Sequence, residues 1–170
     1  MEEAGLNRIK SSEALLLDLA TGELFVDSRS VRSLSIDAVR QFALNHQLQA
    51  GEVDAEGFKK FSLPVEFAGE ECRLRLDFEI ATGRLDDLHL YWMGGTARAK
   101  QWDATPCDLK HDLRTLAARL GARLTLAVAP ESEWIEEAKF PWGSVRLEAS
   151  PKAMTITVMF NLRRGDEQVQ

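Results

Sequence analysis

Asp77, Asp87 and His89 are the residues of this chain best suited to chemistry, because two carboxylates and an imidazole can hold a divalent cation or serve as a general base. Asp87 and His89, two apart, would share the outward face of one strand, with Asp77 on the strand before it. The plainer account is a solvated sheet face. Cys107 is a second candidate: it falls at the second position of an expected helix, where free amides and the helix dipole favour a thiolate, although Asp108 beside it opposes that effect. The spacing from Cys107 to Arg114 is one residue too long for a C-x5-R phosphate loop. Gly94 and Gly95 with Arg98 and Lys100 suggest a phosphate cradle, but neither G-x-x-x-x-G-K nor G-x-G-x-x-G spacing is present. G-x-S-x-G and H-E-x-x-H are absent too, and His46 and His111 stand apart from the other histidine. No metal and no cofactor is expected.

A different chemistry is offered by Glu131, Glu133, Glu136 and Glu137 around Trp134 and Ile135, followed by Phe140 and Trp142. Tryptophan framed by charge is the composition of a protein-binding hot spot, and an acidic rim would steer a basic partner. The competing account tucks these aromatics over a sheet edge. Trp102, on a long loop, is a further contact candidate.

The chain of 170 residues is 45% hydrophobic and carries a net charge of -6, which suits one domain spanning 1–170 with a single core. With a pI near 5.2 and no basic stripe, nucleic-acid binding is not expected. No basic n-region or long apolar run opens the chain, so neither a membrane span nor a signal peptide is expected, and the compartment is read as cytoplasmic. Two cysteines, Cys72 and Cys107, do not make a disulfide scaffold and are read as reduced thiols. Arg outnumbers Lys two to one, a composition pointing to a bacterial source.

The elements that must position these residues are announced by a near-repeat. Leu19-Ala20-Thr21-Gly22-Glu23-Leu24 returns as Ile80-Ala81-Thr82-Gly83-Arg84-Leu85, and each Ala-Thr-Gly reads as a three-residue hairpin loop with its glycine in the left-handed region. In the first hairpin that loop pairs Leu17 with Phe25 and Leu16 with Val26, so both faces would be apolar and covered; the alternative is a helix capped by Ser11 or Ser12. In the second, Cys72, Leu74, Leu76, Phe78 and Ile80 alternate with charged residues, and keeping Leu88, Leu90 and Trp92 on the same face requires an odd-length loop, which pairs Leu76 with Leu88 and Leu74 with Leu90 if Ala81-Thr82-Gly83 is that loop.

Ser35 caps a helix expected from Ile36 to about Leu48, with Ile36, Val39, Phe42 and Ala43 inward. Gln49 to Gly57 reads as a loop, and Pro64 makes Phe58 to Phe67 an edge or bent strand. Met93 to Ala104 is expected to be a loop. Thr105, Pro106 and Asp108 then open a helix whose inner stripe is Leu109, Leu113, Leu116, Ala117 and Leu120, stopped at Gly121. Arg123 to Val128 is an expected strand, and Val145, Leu147 and Ala149 face Met154, Ile156 and Val158 across the loop Ser150 to Ala153. The polar ends, 1–12 and 163–170, are expected to be flexible.

These elements predict an α+β fold: a mainly antiparallel sheet built from sequential hairpins, with two helices packed on it. The favoured function is a non-enzymatic bacterial protein-binding module, such as an immunity-type inhibitor or a secretion-chaperone-like protein, with a basic protein as partner. Its contact residues would be Trp134, Glu133, Glu136, Glu137, Trp142 and Trp102. The alternatives are a small hydrolase or metal-dependent enzyme using the Asp/His cluster, and small-molecule binding between sheet and helices.

Overall fold

The computed structural model describes residues 13–43, 49–53 and 55–163. Three meanders account for ten of the eleven strands among these described residues. The first is β1 (Glu13–Leu17), β2 (Leu24–Val26) and β3 (Arg29–Ser30); α1 (Ile36–Ala43) and β4 (Gln49–Val53) follow. The second is β5 (Phe58–Phe67), β6 (Glu70–Glu79) and β7 (Leu85–Trp92), succeeded by α2 (Thr96–Lys100) and α3 (Pro106–Leu120). The third is β8 (Ala127–Ala129), β9 (Ser132–Phe140), β10 (Gly143–Ser150) and β11 (Thr155–Leu162).

All eleven strands join one sheet in the order β3-β2-β1-β5-β6-β7-β11-β10-β9-β8, with β4 beside β5. Two pairings that sequence order does not dictate stitch the meanders together. β1 lies parallel to the end of β5, Glu13 opposite Val65 and Leu15 opposite Phe67, and β11 meets β7 at Tyr91 and Leu90. The architecture is α+β and mainly antiparallel, but among the described residues three α-helices rather than two accompany the sheet, because Thr96–Lys100 coils within the expected loop.

The sheet curls. Phe67 of β5 and Phe160 of β11 stand three strands apart, about 14 Å in a flat sheet, yet their rings meet edge to face at 5.5 Å. Inside the curl one core joins Leu74, Leu76 and Phe78 of β6, Val145 and Leu147 of β10, Ile156 and Val158 of β11, and Val31 and Leu34 from the segment after β3. The stripe expected on α3, Leu109, Leu113, Leu116, Ala117 and Leu120, is buried against it. Thr105 caps that helix reciprocally with Asp108, and Pro106 starts it. On α1, the Ser35 hydroxyl accepts from the Ala38 amide and Val39 is buried.

Several expectations are corrected. Leu17 pairs with Leu24 and Leu15 with Val26, so Leu16 faces outward, 60% exposed, and the hairpin is covered on one side only. β4 forms where a loop was expected. β5 is not an edge: β6 pairs it throughout, while β4 covers Lys59 to Ser62 and β1 covers Val65 to Phe67 on the other side. Pro64 falls in the seam between β4 and β1, where no ladder partner requires an amide. The strand expected at Arg123 to Val128 is confined to Ala127–Ala129, and the last hairpin turns on Pro151 to Met154, one residue later than expected, which brings Ala149 opposite Ile156. Helix continuation over 44–48 and the flexible ends lie outside the described residues, except that Arg163 donates its amide to the Trp142 carbonyl.

Candidate functional site

The pairing of β6 with β7 sets Arg75 opposite His89 and Asp77 opposite Asp87. The three residues singled out for chemistry therefore share one region, but they do not converge. Arg75 grips both Asp77 oxygens through Nε and Nη2, at 2.8 and 2.7 Å, and this contact raises the guanidinium pKa further. Asp77 is thereby committed to its neighbour. Asp87 Oδ2 meets His89 Nε2 at 3.0 Å while its Oδ1 accepts the Leu88 amide, and the imidazole stacks along Tyr91. Among the described residues no group of three His, Cys, Asp or Glu side chains is placed to hold a metal. What remains is an Asp87–His89 pair at the wall of a cleft of about 160 Å³ between β7 and β11.

The cradle suggested by Gly94 and Gly95 is already filled. Asp112, buried on α3, accepts the amides of Thr96 and Ala97 at 2.8 and 2.7 Å, so the first turn of α2 binds a carboxylate of its own chain. A side chain at Gly95 would collide with that carboxylate, its Cβ 2.6 Å from Asp112 Oδ2. A signal for this was present, since Asp112 sits only about 60° from Leu109 around the helix and is an acid within an apolar stripe.

The aromatic and acidic stretch becomes β9, an interior strand between β8 and β10, whose alternation divides its residues between two faces. Glu136 turns inward and is buried; burial raises its pKa, Arg114 partly opposes this, and Oε2 has no hydrogen-bond partner among the described residues. Trp134 packs at the core margin under Lys110, whose ammonium lies 5.1 Å from the ring and 2.7 Å from Glu133. On the opposite face Glu137 joins Glu131 around Arg146. Trp142 stacks on Phe140 and donates its Nε1–H to the Leu19 carbonyl at 2.8 Å. These five expected contact residues are spread over both faces of the sheet.

Trp102 is different. Its side chain is 98% exposed, on the one-turn 3-10 segment Gln101–Asp103 between α2 and α3. Gln101 before it takes φ 52° and ψ -117°, a conformation costly for a residue with a Cβ. Lys100 reaches Asp108 at 2.8 Å, and this bond, with the Thr105 amide, holds the Asp108 carboxyl down to about 2. Of the thiols, Cys107 is exposed, whereas Cys72 is buried and burial pushes it up to about 12, helped by Glu70 and Glu71.

No protein-family model, no curated protein and no solved structure matches this chain. No helix among the described residues is long and apolar enough to cross a membrane.

Proposed function

We propose that this chain is a non-enzymatic bacterial protein-binding module, of the immunity-inhibitor or secretion-chaperone kind, and that Trp102 is its anchor. The observation that carries this reading is the 98% exposure of the indole. A tryptophan offers roughly 200 Å² of surface for burial, and its presentation to solvent forgoes that gain unless a partner supplies the cover. The anchor is preorganised, because the Lys100–Asp108 bond spans the turn that carries Trp102 and ties its start to α3. The net charge of -6 favours a basic protein, and cytoplasmic residence is part of the same proposal.

Co-purification of tagged chain from a bacterial host tests it. A specific partner should be retained by the wild type and bound about a hundredfold more weakly by Trp102→Ala, with no change in melting temperature. Full affinity in that variant overturns the assignment of the anchor, and the absence of any specific partner overturns the function. A second reading, a small hydrolase, is favoured by the 3.0 Å contact between Asp87 and His89 beside a cleft. It requires hydrolysis of an ester or phosphoester panel that His89→Ala abolishes.

A further inference from the structure

We propose that the cleft where β7 and β11 part binds a free α-amino acid, with its carboxylate taken by Arg32 and Asn161 and its ammonium by Asp86. The cleft exists because the ladder between these strands covers only Tyr91 with Thr157 and Leu90 with Val158. Below that point β7 and β11 separate, and the gap of about 160 Å³ is lined by Arg32, Asp86, His89, Met159, Phe160 and Asn161 among others.

Three observations specify the ligand. Arg32, on the single turn Val31–Ser33, reaches in from the opposite end of the sheet and donates through Nη2 to the Phe160 carbonyl at 3.1 Å. That one bond leaves Nε buried with no hydrogen-bond partner among the described residues, and burial lowers the guanidinium pKa although Glu23 nearby opposes this. A guanidinium in that state is suited to a carboxylate, which two of its N–H groups can grip together. Asp86 is the extra residue of the β7 bulge and makes no hydrogen bond or ion pair with any described residue, whereas Asp87 is occupied by Leu88 and His89. It supplies a free anion for an ammonium group. The same cleft is lined by Leu88, Met159 and Phe160, which suit an aliphatic or thioether side chain.

Size decides the rest. A cavity of about 150 Å³ holds benzene, so this cleft takes a molecule of roughly six to ten heavy atoms. A zwitterion with a short apolar side chain meets all three conditions, and a peptide is too large. This proposal is independent of the protein-binding reading and uses none of its residues.

The test is thermal shift followed by calorimetry with L-valine, L-leucine and L-methionine at about 10 mM. Two single-headed controls accompany leucine: 4-methylpentanoate, which lacks the ammonium, and 3-methylbutylamine, which lacks the carboxylate. At least one amino acid should raise the melting temperature while neither control does. Arg32→Gln and Asp86→Asn should each weaken binding at least about tenfold, and Trp102→Ala should not alter it. Asp86 is exposed and unpartnered, so Asp86→Asn reports on binding even if Arg32→Gln fails to fold. No response to any amino acid, an equal response to either control, or binding that survives Asp86→Asn overturns the proposal and leaves Arg32 as a plug in the sheet.

Discussion

The β1–β2 and β6–β7 hairpins turn on the same device and yet set their strands in registers of opposite parity. In both, the residue before the loop donates its amide to the carbonyl five residues on, Asp18 to Glu23 at 2.9 Å and Glu79 to Arg84 at 3.0 Å. Its carbonyl accepts from Gly22 or Gly83 at 2.8 Å, and the threonine hydroxyl accepts the amide two residues ahead, at 3.2 Å in one and 3.3 Å in the other. Both glycines take positive φ, 76° and 68°. Each loop thus holds four residues, one more than the three expected.

Beyond the loop they diverge. β1 and β2 pair without interruption, whereas β7 inserts Asp86 as a bulge between the pairs Phe78–Leu85 and Asp77–Asp87. Were Asp86 paired in the ladder instead of bulged out, Leu76 would face Asp87, and Leu88, Leu90 and Trp92 would turn to the solvent side. Leu15 to Leu17 and Leu24 to Val26 are apolar at every position, so either parity buries leucines and no bulge is called for. Turn chemistry therefore sets the loop, and burial sets the register. The odd number of unpaired residues required between Leu76 and Leu88 is met by four loop residues plus one bulged residue.

The contrast can be broken at four points. Gly22→Ala should cost about 2–4 kcal/mol and Gly83→Ala about 1 kcal/mol. Both strain the left-handed residue, but a Cβ at Gly22 overlaps the Trp142 ring, whereas at Gly83 it meets only Ile36 Cγ2 at 3.6 Å. In a Trp142→Ala background the Gly22 penalty should fall to that of Gly83, a coupling of about 1–3 kcal/mol readable from a double-mutant cycle. Persistence of the difference would place its cause in the loop itself. Next, Thr21→Ala and Thr82→Ala should each cost about 0.5–1 kcal/mol, with Thr82→Ala at the upper end because its hydroxyl also donates to Glu79 Oε2 at 3.0 Å. A larger loss for Thr21→Ala by thermal unfolding would mean the two loops are not one device. Last, deleting Asp86 should leave the register intact, because Leu85, Asp87 and Leu88 then pair with Phe78, Asp77 and Leu76 in an uninterrupted ladder, and should change stability by less than about 1 kcal/mol. Denaturant unfolding checks this, and a loss of several kcal/mol would show that the bulge does more than set the register.

What could be read in advance varied with the range of the interaction. The cap of α3 at Thr105, its stripe from Leu109 to Leu120 and the pairing of Leu74 with Leu90 rest on periodicity and neighbours, and all stand. β9 went unrecognised because Glu136 occupies an inward position, which breaks the alternation that marks a strand. The contact residues were the least legible part. Trp134, Trp142 and Trp102 look alike in sequence, and only the fold distinguishes one under Lys110 and one over Gly22 from one left in solvent. Gly94 and Gly95 invite an anion, and nothing local says that Asp112 provides it.

By itself the chain's order of residues determined the β1–β2, β6–β7 and β10–β11 hairpins, its capped helix and which side of the alternating strands β6, β7, β10 and β11 is greasy, since these depend on groups within a few positions of one another. The curl that brings Phe67 to Phe160, the joining of β7 to β11 and the cleft below that joint were decided only in three dimensions. They depend on how much apolar surface distant segments can bury together, and that quantity is not defined until every layer is in place.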